Sequence, residues 1–274
     1  MIRSPLITVM VQAVRKAARG LTRDFGEVEN LQVSVKGPAD FVSAADRKAE
    51  EILFTELSRS RPGFSFLMEE RGRVEGTDPA NEWVIDPLDG TTNFLHGIPL
   101  FAISVALVRN GAPFAGVIFN PVTDELFVAE KGQGAYLNDR RLRVAGRRKL
   151  AESVVCCGLP HMGRGDHTRF NRELAKVQTK VAGLRRTGAA ALDLAWVAAG
   201  RFHAARPSGA SEGGLRPAGR DAAPVRRGRA FTFAPFQFSR PAPGAVPFAA
   251  ICAIVARQGN GLRERKWRVS LIRT

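Results

Sequence analysis

Within residues 83–96, WVIDPLDGTTNFLH, two carboxylates, Asp86 and Asp89, stand three positions apart around Pro87 and Leu88. The apolar lead-in, Trp83 to Ile85, reads as a buried strand. Pro87 cannot donate to a sheet ladder, so the strand is expected to end there. A turn at this point brings both carboxylates and the Leu88 carbonyl together. Left unpaired they repel, and one pKa rises. A hard divalent cation relieves that repulsion, and oxygen-only ligation suits Mg²⁺, which holds its oxygens at about 2.0–2.1 Å and keeps several waters. Gly90, Thr91 and Thr92 then open what reads as a short helix. Free N–H groups at a helix N-terminus bind phosphate oxygens, and glycine permits close approach. A cation cradle beside an anion cradle is the chemistry of a phosphoester site. The plainer alternative is a strand ending in an Asx-type turn, D-x-x-D-G. The proline, glycine, threonines and apolar lead-in, taken together, favour the site.

The full string WVIDPLDGTTNFLHG closely resembles the first signature of the inositol monophosphatase family of Mg²⁺-dependent, lithium-sensitive phosphatases. Lys36-Gly37 and Asp40, followed by FVSAAD ending at Asp46, are similar to the family's K-G-x-x-D-x-V-T-x-x-D stretch. FLMEERG resembles its G-E-E-x-G strand end, with Met68 in place of the usual glycine. GAAALDLAWVAAGRF, from Gly188 to Phe202, resembles its small-residue helix. The resemblance runs in order over residues 5–202. It implies that Glu69, Asp86, Asp89 and the Leu88 carbonyl ligate metal, with Asp86 bridging two ions. Glu69 and Thr91 are then expected to orient the attacking water, with Asp46 positioning Thr91 and Lys36 on the rim. Asp89 and the N–H groups of Gly90 and Thr91 are expected to hold the substrate, joined by Ala189 and Glu212. Ala189 and Ala190 are equally readable as helix packing, and His96 reads as a hydrogen-bonded loop residue. The implied substrate is a small phosphorylated polyol, foremost myo-inositol monophosphate. Relatives with the same signature act on nucleotide 3′-phosphates, fructose bisphosphate or histidinol phosphate. A homodimer is also implied.

Positioning these residues calls for a layered scaffold. Leu6 to Leu21 reads as an amphipathic helix, followed by a loop from Gly26 to Lys36. Ser43 is a candidate N-cap for a second helix, AADRKAEEILFTELSR, with Ile52, Leu53 and Leu57 on one side. Arg61-Pro62-Gly63 turns into a short strand, Phe64 to Met68, and RGRVEGTDPANE reads as a polar connection. Asn110-Gly111 signals a hairpin, and Gly132-Gln133-Gly134 separates a second pair of strands. A helix near Asp166–Val177, a strand near Val181–Arg185 and the small-residue helix follow. The fold class is α/β: by resemblance, an α-β-α-β-α sandwich of the sugar-phosphatase type with a largely antiparallel sheet.

The 274 residues carry a formal net charge of +15, unevenly spread. Residues 202–274 hold 13 Lys and Arg against 3 Asp and Glu, along with seven of the 16 prolines. The chain therefore divides into residues 1–202, carrying the metal site, and a basic C-terminal segment, 203–274. That segment's composition favours disorder or irregular structure, with AVPFAAICAIVA its one candidate buried stretch. The family pattern breaks here. His203 stands where an aspartate is expected, and no Trp-Asp pair occurs, Trp267 being followed by Arg268. The fragment from Glu212 to Pro217 faintly echoes the lead-in to the missing second signature, and Asp221 lies nearby without the tryptophan or apolar helix that should accompany it. A shifted reading frame in the coding sequence would account for such a change. The basic segment also offers a second function class, a scaffold that binds RNA or another polyanion or a protein. With no recognised nucleic-acid fold, nucleic acid is not the expected partner. Three cysteines, the adjacent Cys156 and Cys157 with Cys252, lack metal-site spacing and point to a reducing, cytoplasmic setting. No apolar run is long enough to span a membrane.

Overall fold

Ser4 caps the first helix, α1 (Pro5–Gly26): its side-chain oxygen accepts from the Ile7 N–H at 3.2 Å, and Pro5 occupies the first turn, where no N–H is needed. The computed structural model describes residues 3–27, 38–146, 149–159 and 166–206, with the backbone of 231–233 and 236–238. The second helix, α2 (Pro38–Ser60), starts at Pro38 rather than after Ser43. A proline at the helix start has no amide to satisfy, so Ser43 is not required as a cap. Ala45, Ala49, Leu53 and Leu57 recur every four residues along its buried side.

Both helices cover one face of an eight-stranded sheet ordered β2-β1-β3-β4-β5-β6-β7-β8. Its strands are β1 (Phe64–Met68), β2 (Gly72–Val74), β3 (Asp78–Asp89), β4 (Ala102–Arg109), β5 (Ala112–Asn120), β6 (Glu125–Glu130), β7 (Gly134–Leu137) and β8 (Arg140–Arg141). β1 and β3 run parallel, and the other neighbours pair antiparallel. β2 and the start of β3 occupy the stretch expected to be a polar connection. Arg73 between Glu75 and Glu82 supplies ion pairs that let this charged segment pair at the sheet edge. Asn110 and Gly111 both have positive φ, 50° and 71°, as the tight hairpin between β4 and β5 demands.

The two faces of the sheet are packed differently. Ile103, Val105 and Leu107 of β4, with Val117 and Phe119 of β5, meet α1 and α2. Ala102 of β4, Ile118 of β5 and Phe127 and Ala129 of β6 meet α5 (Ala190–Ala198) on the other face. Beyond α5 lies a parallel three-stranded sheet, β10-β9-β11, built from β9 (Val154–Cys157), β10 (Gly183–Arg185) and β11 (Ala204–Arg206). α4 (His167–Gln178) closes it through Val177 against Val155, and Asp166 caps α4. The result is the layering α-β-α-β-α. The fold extends past residue 202, because β11 adds a strand at 204–206. Cys156 and Cys157 are both buried.

Farther on, β12 (Phe231–Phe233) and β13 (Phe236–Phe238) pair antiparallel. That stretch was expected to be irregular; FTF and FQF alternate with period two, which suits a short hairpin. AVPFAAICAIVA and Cys252 lie outside the described residues. Among the described residues, no helix is long and apolar enough to cross a membrane.

Candidate active site

β3 does not stop at Pro87. It continues to Asp89, and its register against β4 shifts: Asp86 faces Ser104, while Asp89 faces Ala102. Three steps along β3 match two along β4, so Pro87 and Leu88 form a bulge. The amide that proline lacks removes one rung, not the strand. Asp86 is buried at this bulge, and its Oδ1 accepts from the Leu88 N–H at 3.0 Å. The Leu88 carbonyl accepts from the Thr91 hydroxyl at 3.1 Å. Gly90 has φ +98°. A Cβ there would lie 2.9 Å from the Leu100 carbonyl oxygen and 3.2 Å from the Ala189 Cβ, so only glycine fits between β3 and α3 (Thr91–Leu95).

Three of the expected carboxylates are perturbed together. Asp86 is held well above the usual carboxylate range by burial first, then by the charges of Asp89 and Glu69, and by a hydrogen bond with Glu69. Asp46, on α2, is pushed up to about 8 by burial and by the charges of Glu69, Glu70 and Glu50. Its Oδ1 is buried without a hydrogen-bond partner. Asp89 is pushed up to about 7 by burial, although N–H groups of Ala191 and Ala190 hold it down. The Ala191 N–H donates to Asp89 Oδ2 at 2.6 Å. Ala189, at the N-cap of α5, makes no side-chain cap bond, so Asp89 of the distant β3 serves as the cap.

As the side chains stand, no group of three or more His, Cys, Asp and Glu among the described residues is arranged to hold a metal ion. The carboxylates are instead turned to backbone amides and to one another. Their chemistry nevertheless fits a hard cation: the donors are all oxygen, they repel one another, and the Asp46 oxygen lacks any partner. Glu69 follows β1 directly and is exposed. Ala189 is fully buried against Gly90 and so packs; Ala190 beside it is exposed. The His96 Nδ1 lies 2.7 Å from the Thr92 carbonyl, in a loop role. Lys36, Glu212, Asp221 and the loop over 28–37 lie outside the described residues.

Two residues escaped the sequence reading. Asn93, buried on α3, donates through Nδ2 to the Leu100 carbonyl at 2.6 Å and the Thr187 carbonyl at 2.7 Å. It ties α3 to the loop that enters α5. Asp193, buried on α5, accepts from the Thr187 hydroxyl at 2.6 Å and adds a negative charge near Asp89. Burial pushes it up to about 6. An aspartate inside the apolar run AALDLAWVA was the available signal.

Residues 2–212 match the family model described as the inositol monophosphatase family. The chain belongs to that family. It is 65% identical over 202 residues to a Mesorhizobium japonicum protein named inositol-1-monophosphatase, covering 74% of this chain and 76% of that protein. It is 40% identical over 213 residues to the Escherichia coli K12 protein named Nus factor SuhB, 78% of each. Among solved structures, the extragenic suppressor protein suhB of Bartonella henselae matches with TM-score 0.68 and 57% identity, over 74% of this chain and 78% of that one. The inositol monophosphatase of Anabaena matches with TM-score 0.63 and 33% identity, over 74% and 75%. Family and relatives together support a phosphatase.

Proposed function

We propose that this protein hydrolyses a small phosphate monoester, foremost myo-inositol monophosphate, with Mg²⁺ as cofactor. The observation that carries this reading is the meeting of Asp46, Glu69, Asp86 and Asp89 beside the Gly90–Thr91 turn. The names of the 60–65% identical relatives support the substrate. Glu69, Asp86, Asp89 and the Leu88 carbonyl would hold the cation. When bound, it supplies neutralisation of the phosphate and of the developing leaving-group charge.

The chain's own groups do the rest. The N–H groups of Gly90 and Thr91 would bind a phosphate oxygen. The Thr91 hydroxyl donates to the Leu88 carbonyl, which leaves its oxygen lone pairs to accept from, and orient, the attacking water. Glu69, exposed just after β1, would orient that water and accept its proton. Asp46, on α2, would help to position Thr91.

Phosphate release from myo-inositol monophosphate tests the proposal, with Mg²⁺, with EDTA, and with Mg²⁺ plus lithium. Release that needs Mg²⁺ and falls with lithium is expected. No Mg²⁺-dependent release from this or the related sugar, nucleotide and histidinol phosphates would count against it.

A second reading, polyanion binding, is favoured by the +15 net charge and by the relative named Nus factor SuhB. A filter-binding titration with single-stranded RNA over a salt series tests it. Steep loss of binding with salt is expected, and no retention at low salt removes this reading.

A further inference from the structure

Glu50 is a carboxylate with no solvent exposure, and the mechanism above makes no use of it. It lies on α2 one turn beyond Asp46, so both point from the same helix face. Its Oε2 accepts from the Glu70 N–H at 2.8 Å, and its Oε1 accepts from the Arg71 N–H at 3.1 Å. Those amides belong to the turn that begins at Glu69. Arg71 strengthens the grip: its Nε lies 3.7 Å from Glu50 Oε1, its guanidinium sits 5.1 Å over the Phe54 ring, and it pairs with Glu51. Without such a clamp, Glu69 would ride on an exposed turn between the short strands β1 and β2. A buried carboxylate taking two amides is a costly arrangement, kept stable by charge-assisted hydrogen bonds to both.

We infer that Glu50 is a positioning residue: it fixes the Glu69–Arg71 turn against α2, so that Glu69 meets the cation from a set position. The inference rests on the proposed reading of the site. A carboxylate ligand held this way gains affinity through its support, and loss of such a support lowers metal affinity by about 10–100-fold.

The test compares full-length Glu50→Gln with Glu56→Gln, which removes the same charge from the same helix at a residue that pairs with Lys16 and Arg59 rather than with the turn. Metal affinity is read as the midpoint of the Mg²⁺-induced rise in melting temperature, which needs no turnover. Glutamine offers one acceptor oxygen for two amides. Glu50→Gln is therefore expected to raise the Mg²⁺ midpoint about tenfold. It should lower kcat for the phosphate monoester and leave KM unchanged, while Glu56→Gln keeps the wild-type midpoint. A lower melting temperature with a wild-type Mg²⁺ midpoint in Glu50→Gln, where Glu69→Gln shifts the midpoint, overturns the positioning role alone. A wild-type midpoint in both overturns the metal reading and the inference with it. Hydrogen exchange on the wild-type chain gives a measure independent of how the variants fold. The Glu70 and Arg71 amides should exchange more slowly once Mg²⁺ is added, and no Mg²⁺-dependent change overturns the inference.

Discussion

Asp86 meets Asp89, Glu69 and Asp46 in a buried position, so neutralising it has two effects of opposite sign. Asp86→Asn keeps an oxygen for the Leu88 N–H but removes a charge that burial opposes. The metal-free variant is expected to melt no lower than wild type. Its phosphatase activity should fall about 1000-fold, the equivalent of several kcal/mol of lost charge stabilisation. Thermal melts in EDTA and phosphate release with Mg²⁺ check both halves. Gly90→Ala should behave in the opposite way. Its φ of +98° and the 2.9 Å approach to the Leu100 carbonyl predict a loss of about 2–3 kcal/mol in chemical denaturation, whatever the metal.

Among the elements, α5 depends on a residue from β3. The Asp89 carboxylate caps the helix through the Ala191 amide, and an uncapped, buried N–H costs about 1–3 kcal/mol. Asp89→Ala should therefore lower stability by about 1–2 kcal/mol, while Asp89→Asn retains an acceptor and most of the stability. Both should lose activity, so urea melts and assays on the pair separate the helix role from the site role. This cap was not legible in the sequence, because its two ends lie 102 positions apart and neither carries a local mark of the other. The Asn93 bond to Thr187, across 94 positions, was hidden for the same reason. WVIDPLDGTT was legible because its chemistry is local: strand, proline, turn and glycine are adjacent in the chain. Pro87 misled by suggesting a stop, since a bulge and a strand end begin with the same missing amide. Glu50 could have been found from its spacing to Asp46, but its partners become visible only once α2 is laid beside the turn after β1.

For the molecule as a whole, clustered carboxylates link stability to pH. Asp46 at about 8 and Asp89 at about 7 both sit above the ordinary value of 3.8. A raised carboxylate pKa means the folded state binds more protons, so this stability is present at low pH and is lost as pH rises toward the folded pKa. The metal-free melting temperature should thus fall from about pH 5 to about pH 8, and saturating Mg²⁺ should flatten that fall; calorimetry at constant ionic strength checks it. The match to the Mesorhizobium relative spans 202 residues and leaves about a quarter of that protein unmatched. Together with the change of composition after Phe202, this predicts that another frame of the coding DNA encodes a Trp-Asp pair opening an apolar helix near position 218. Its absence from both other frames would rule the shift out. One consequence concerns descent. Because Asp89 fastens a helix as well as serving the site, a lineage that abandoned catalysis would be free to discard Asp86, yet would still be selected to keep an aspartate or asparagine at position 89. A fossil of the enzyme would persist there after the enzyme itself was gone.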